Sequence, residues 1–174
     1  MPEPVSIRAT EPADHEAILE CVRAAFGTRG RDGAEEVEIV RTTWARNAAA
    51  PGLDLAAISG RQVAGHVLGG VGRLGEREAI GLAPLAVGPA WQRQGIGSRL
   101  IRELLDRAER AGWPLVVLLG APRYYSRFGF EQAGPLGIIY RPAGPDNPDF
   151  QVARLSRFDD SLRGEFRYCW ELEP

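Results

Sequence analysis

The sequence predicts an α/β domain, a mixed sheet with flanking helices, and three observations carry that expectation. A strongly amphipathic segment, Gly95–Ala111, lies between apolar runs at Ala79–Val87 and Leu115–Leu119, which is the pattern of a strand–helix–strand unit. Two further apolar segments, Leu53–Ser59 and Gln62–Gly70, meet at Gly60-Arg61, a hairpin signal. Near the amino terminus Ile18, Leu19, Val22 and Phe26 recur at helical spacing.

In chain order, Val5–Arg8 reads as a short strand, and Thr10-Glu11-Pro12 carries helix-start chemistry, a capping hydroxyl followed by a proline. Gly27 closes that first helix. The polar, glycine-rich stretch to Gly33 reads as a loop. A second helix is expected from Ala34 to about Asn47, with Val37, Val40 and Trp44 on one side, stopped by Pro51-Gly52. The hairpin follows, its second strand running on toward Arg73. Pro84 sits inside the next strand; lacking a ladder donor, it implies an edge, a bulge or a break in pairing. In the long helix, Leu100, Ile101, Leu104, Leu105 and Ala108 line one face, and Gly112 with Pro114 ends it. Leu115–Leu119 is the continuous apolar run of a strand covered on both faces. A short helix is expected at Arg123–Phe128, an extended segment from Phe130, and strands at Gln151–Leu155 and Phe166–Leu172.

The 174 residues fit a single domain, 1–174. A net charge of −2 argues against a broad basic footprint for nucleic acid. No apolar run approaches a membrane span, and Met1-Pro2-Glu3-Pro4 lacks the basic and apolar regions of a signal peptide, so a cytoplasmic protein is expected. All 21 basic residues are Arg. Cys21 and Cys169 read as free, buried thiols, and with His15 and His66 they show no metal-ligand spacing, so no metal site is expected.

Chemistry concentrates at Gln92-Arg93-Gln94-Gly95-Ile96-Gly97-Ser98, between a strand end and a strong helix. The first amides of a helix have no intrahelical acceptor, and the helix dipole adds partial positive charge there, which suits an anion such as a diphosphate. Gly95 and Gly97 leave the backbone bare, and Arg93 offers a charge-assisted contact. A plain glycine-rich strand–helix connection has the same look. Two nucleotide-binding patterns fit poorly: a P-loop needs a lysine and the chain has none, and Leu100 stands where the third glycine of the dinucleotide fingerprint belongs.

The run Gln92-Arg93-Gln94-Gly95-Ile96-Gly97, after a strand, together with Tyr125-Ser126-Arg127-Phe128-Gly129-Phe130, resembles the paired signature of the GNAT N-acetyltransferase superfamily. Gly120-Ala121-Pro122-Arg123-Tyr124-Tyr125 and the strand-rich carboxyl-terminal segment are similar to its YhbS-like branch. The resemblance covers about Val5 to Gln132. It implies a largely antiparallel central sheet of about six or seven strands with helices packed on its faces and a cleft between two splayed parallel strands. Acetyl-CoA is the implied acyl donor, its pantetheine bonding along Leu85, Ala86 and Val87, and its diphosphate on the amides of Gln92, Arg93, Gln94, Gly95, Ile96, Gly97 and Ser98. Tyr125 falls where relatives place the general acid that protonates the leaving thiolate; it equally suits an aromatic residue packing the cleft.

The implied activity is direct transfer of an acetyl group to a primary amine, either a small molecule or a protein amino terminus. The alternative is a non-catalytic acyl-CoA-binding sensor or regulatory module, because the place of the usual strand carboxylate falls near Gly81. Glu78 lies upstream of it, and Glu35, Glu36 and His66 are the other candidates for a base. The acceptor is expected at the first interhelical loop and second helix start, with Arg29, Arg31, Glu35 and Glu36 as candidates. Whether the carboxyl-terminal strands continue the sheet or make a homodimer seam is left open.

Overall fold

The computed structural model describes residues 3–28 and 30–173; Arg29, an expected acceptor contact, lies outside the described residues. Its elements are β1 (Val5–Ala9), α1 (His15–Phe26), α2 (Ala34–Ala45), β2 (Ala49–Ser59), β3 (Gln62–Leu74), β4 (Arg77–Val87), α3 (Ile96–Ala111), β5 (Leu115–Leu119), α4 (Pro122–Tyr125), β6 (Glu131–Gln132), β7 (Ile138–Ile139), β8 (Phe150–Arg154) and β9 (Gly164–Arg167). Hydrogen-bonded neighbours follow the order β1-β2-β3-β4-β5-β8-β6, with β9 on β3 and β7 on β9. Among the described residues there are nine strands, two of which, β6 and β7, are two-residue bridges too short to leave a sequence pattern. The architecture is the mixed, largely antiparallel α/β sheet with flanking helices that was expected. No helix among the described residues is long and apolar enough to cross a membrane.

The chain divides into two compact units: the first comprises the chain up to Gly69 and Ala83–Leu104, the second Gly70–Leu82 and Leu105 onward.

In the first unit β1 and β2 pair antiparallel from Val5↔Ser59 to Ala9↔Leu55. The turn after Ser59 uses Gly60 at φ 59°, a left-handed conformation natural to glycine. α1 and α2 bury Ile18, Val22, Val37 and Val40 against Ala56, Leu68 and Ala86 of the sheet, the stripes their spacing predicts. α3 covers the other face: a β-carbon on Gly65 would stand 2.9 Å from the Ala86 carbonyl oxygen and 3.1 and 3.3 Å from Leu100 and Ile96. Glycine here lets helix and sheet approach closely.

Two local readings are corrected. The second helix stops at Ala45, with Asn47 at φ 52°, and Pro51-Gly52 lies inside β2 rather than ending the helix. The first helix opens later than a Thr10 cap implies. A 3₁₀ turn, Pro12–Asp14, precedes α1, and the Asp14 carboxylate accepts the Glu11 backbone N–H at 2.8 Å. Arg8 donates to both oxygens of that carboxylate, at 2.7 and 3.0 Å.

The Arg8 hydrogen bond, outweighing burial, holds Asp14 below the ordinary carboxylate value. Because its folded value is depressed, the stability it contributes is present above the unfolded value, about 3.9, and disappears as pH falls through the folded one. Asp14→Asn is therefore expected to cost about 1 kcal/mol at neutral pH, the scale of a lost helix-start contact with a half-exposed ion pair. Urea unfolding of variant and wild type should converge once the medium is acid enough to protonate Asp14.

In the second unit β4 and β5 run parallel, with Ile80↔Val116 and Gly81↔Val117 in register, upstream of Pro84. β8 pairs antiparallel along β5 from Leu115↔Arg154 to Leu119↔Phe150, and β9 pairs with the end of β3 at Arg73↔Arg167 and Leu74↔Phe166. The carboxyl-terminal strands β8 and β9 thus continue the sheet. The expected strand Phe166–Leu172 ends at Arg167; Cys169–Glu171 is a 3₁₀ turn, and the Trp170 ring stacks on Tyr168 at 4.3 Å. A capping box, in which the Glu171 carboxylate accepts the Tyr168 N–H at 2.9 Å, turns the chain there. Phe166 and Tyr168 are buried beneath glycines: a β-carbon on Gly72 would stand 2.5 Å from the Phe166 ring, and one on Gly81 2.6 Å from Tyr168.

Candidate functional site

The strand end and helix start singled out in the sequence lie together in the first unit. Val87 ends β4, and the Gly88 N–H donates to the Ala64 carbonyl at 2.9 Å, fixing the strand end against β3. Pro89–Trp91 forms a 3₁₀ turn, Gln92 is extended, and Arg93 and Gly95 both adopt left-handed φ, 61° and 78°. Such a conformation is costly for arginine, and strain of this kind gathers where backbone amides must converge. Gln92 Nε2 donates to the Val87 carbonyl at 3.1 Å and Gln94 Nε2 to Ala90 at 3.4 Å. These two side chains brace the loop.

The first helical bond, Arg99 N–H to Gly95 carbonyl at 3.1 Å, leaves the amides of Ile96, Gly97 and Ser98 ahead of it. Around Gly95 a β-carbon would meet nothing within 4 Å, so the loop is open to solvent there, whereas the Ile96 side chain is buried and anchors the turn. A bare, braced backbone at the positive end of a 16-residue helix fits a diphosphate. In the strand before it, the Ala86 side chain belongs to the core and Leu85 and Val87 are half-buried, so only their backbone groups are candidates for a ligand.

In the second unit Tyr125 closes α4. Its ring packs edge-on against Tyr124 (4.9 Å) and Phe130 (5.9 Å) and over Gly120, where a β-carbon would stand 2.5 Å from it. Burial, helped by Tyr124, pushes the phenol up to about 12, so it keeps its proton at neutral pH. Tyr124 packs on Phe128 beneath the Arg127 guanidinium and reads as structural.

The acceptor candidates form an ion-pair group of their own. Arg31 contacts Glu36 at 2.6 Å and Glu35 at 3.8 Å; Glu36 is buried, with one carboxylate oxygen lacking a partner. Near Gly81 there is no room for the usual carboxylate, because Tyr168 occupies the space; Glu78 is exposed at the start of β4.

The two histidines, which the sequence does not connect, belong to one cluster in the fold. His66, on β3, is fully buried, and its Nε2 lies 2.7 Å from Asp54 Oδ1 on β2. The Trp44 indole N–H donates to Asp54 Oδ2 at 2.8 Å, and His15 stacks on Trp44 at 3.8 Å. Burial alone would raise the Asp54 carboxyl, but the hydrogen bond from His66, with bonds from Trp44 and Thr10, outweighs it and holds the group below its ordinary value. The one available signal was a polar residue in each of two hairpin-joined apolar strands. Cys21 is buried with its thiol pushed up to about 11, which keeps it protonated and unreactive.

Comparison with known proteins identifies the family. The description of the matching family model is an acetyltransferase (GNAT) domain, over residues 55–132. The chain is 33% identical over 126 residues to YjhQ of Escherichia coli K12, named an uncharacterized N-acetyltransferase, covering 70% of this chain and 67% of that one. It is 44% identical over 85 residues to YhbS of the same strain, named likewise, and that match spans about half of each protein, 49% of both. Among solved structures, a GNAT family acetyltransferase from Brucella melitensis in complex with acetyl-CoA is similar at TM-score 0.79 and 33% identity, over 95% of this chain and 96% of that one. YhbS from Escherichia coli in complex with CoA is similar at TM-score 0.84 and 31% identity, over 94% and 89%. The fold is that of the GNAT acetyltransferases, two of which are these structures solved with acetyl-CoA or CoA bound. The chain belongs to the GNAT acetyltransferase family.

Proposed function

We propose that this chain is an acetyl-CoA-dependent N-acetyltransferase that moves an acetyl group directly to a primary amine, of a small molecule or a protein amino terminus. The observation that carries this reading is the loop before α3, where left-handed Arg93 and Gly95 leave a bare backbone at a helix start. The amides from Gln92 to Ser98 hold the diphosphate and Arg93 adds charge to it. Leu85, Ala86 and Val87 bond the pantetheine through their backbone, and an N–H of Ala86 or Val87 polarises the thioester carbonyl. The acetyl-CoA and CoA complexes of the two similar structures support this donor.

Tyr125 donates its proton to the departing thiolate. A phenol raised to about 12 is protonated throughout the neutral range, so it supplies an acid without needing a proton from solvent at that moment. The Arg31, Glu35 and Glu36 group, with Arg29, contacts the acceptor.

Purified protein given acetyl-CoA and a panel of amines is expected to release free thiol with at least one of them. Tyr125→Phe is expected to lower kcat about 10²-fold, at the low end for general acid catalysis, with acetyl-CoA affinity unchanged by calorimetry. An unchanged kcat in the variant would remove the acid role. A sensor or regulatory module, the reading favoured by the missing carboxylate at Gly81, instead gives tight thioester binding without turnover.

A further inference from the structure

We infer that His66 is the proton acceptor that readies the acceptor amine, working through water at its Nδ1, with Asp54 as the residue that positions it. The inference rests on the N-acetyltransferase reading and supplies the base which that reading lacks.

Geometry sets the orientation of the ring. The Asp54 carboxylate faces Nε2 at 2.7 Å and can only accept, so Nε2 carries a proton and Nδ1 is the ring position left to exchange one with water. Among the described residues that Nδ1 is buried with no hydrogen-bond partner. A buried, unpaired polar atom is costly and uncommon, and calls for an explanation; a relay water in the working enzyme provides one. Asp54 is itself pinned by Trp44 and held anionic, so it both orients the imidazole and stabilises the imidazolium that forms.

Placement agrees. Gly65, the residue before His66, lies against the Ala86 carbonyl, 2.9 Å from where a β-carbon would be, so His66 stands beside the stretch of β4 assigned to the thioester. Side chains alternate along a strand: Gly65 faces Leu100 and Ile96 of α3, and His66 faces Trp44 on the α1–α2 side of the sheet. The other titratable groups of this cluster are Asp54 on β2 and His15 on α1, the latter stacked on Trp44.

The protons balance. A primary ammonium gives one proton through water to His66 Nδ1, and from there to solvent. The freed nitrogen lone pair forms the N–C bond as the C–S bond breaks, and a second proton from that nitrogen leaves with the thiol sulfur. The products are an N-acetyl amide, the free thiol and one proton.

His66→Gln should lower kcat/KM about 10²–10³-fold while acetyl-CoA affinity stays within about twofold, a change of under about 0.5 kcal/mol. A base must be neutral to act, so wild-type kcat/KM falls on acidification; the variant should lose that acid limb. Asp54→Asn should move the limb to lower pH, because the charge favouring imidazolium is gone. A purely structural role would leave the shape of the pH profile unmoved, and His66→Gln with the wild-type limb overturns the assignment. Nitrogen-15 NMR of histidine-labelled protein, with His15→Gln to assign the signals, gives a second reading needing no acceptor. A proton at Nε2 is expected, and a ring whose only proton sits on Nδ1 overturns the inference. If no amine releases thiol from the wild type, the N-acetyltransferase reading fails and the histidine role falls with it. If the wild type turns over and only the pH result disagrees, the histidine role alone is lost.

Discussion

Gly95→Asp is expected to weaken acetyl-CoA binding about 100-fold, or about 2.7 kcal/mol, while Gly95→Asn weakens it less than about 10-fold. The pair isolates electrostatics. Gly95 sits at φ 78° with open space around its α-carbon, and Asn and Asp are the side chains that best tolerate a left-handed backbone. The two variants therefore carry similar strain and similar bulk. Only the aspartate sets a negative charge among amides proposed to hold a diphosphate, and like charges a few ångströms apart at a partly solvated site repel by several kcal/mol. The contrast should shrink as ionic strength rises. Calorimetric titration of both variants checks it, with the thermal unfolding temperature of each as a control for folding.

Phe166→Ala should be the most damaging single truncation in the second unit, at about 3–5 kcal/mol. For a chain of this size that corresponds to a fall in unfolding temperature of roughly 6–20 °C. Phe166 is fully buried, and the absent β-carbon of Gly72 is what lets its ring lie on the strand. Phe150 and Tyr168 pack around it with ring centroids 6.3 and 5.0 Å away. Because backbone, not side chain, forms one wall of that pocket, the gap left by truncation has little to collapse into it. Gly72→Ala tests the same packing from the opposite side, since its methyl would meet the ring and the Arg167 carbonyl at 2.5 and 2.6 Å. Denaturant unfolding of both variants measures the loss.

Local chemistry made part of this legible in the sequence. The long helix and the strand after it were found almost to the residue, because a 3.6-residue apolar stripe and an unbroken apolar run are written in consecutive positions. The loop between Val87 and Ile96 was legible for the same reason. Pro51-Gly52 misled because a turn signal weighs less than strand pairing, and β2 carries both residues within its length. Trp170 misled because Phe166, Tyr168 and Leu172 alternate like a strand, while the Glu171 carboxylate, bonded to the Tyr168 amide, turns the chain away.

The grouping around His66 is long-range. His15, Trp44, Asp54 and His66 come from two helices and two strands, and no local pattern joins them. Gly81 is similar: its lack of a carboxylate looked like a missing catalytic group, and only the fold shows Tyr168 filling that space from far along the chain.

Backbone amide NMR of the labelled protein, titrated with acetyl-CoA, reads the proposed donor position residue by residue. Saturable changes largest at the amides of Gln92 to Ser98, and matched by free CoA, are the expected result. No saturable change, or changes confined to other parts of the chain with that loop unmoved, would contradict the reading that the start of α3 holds the donor.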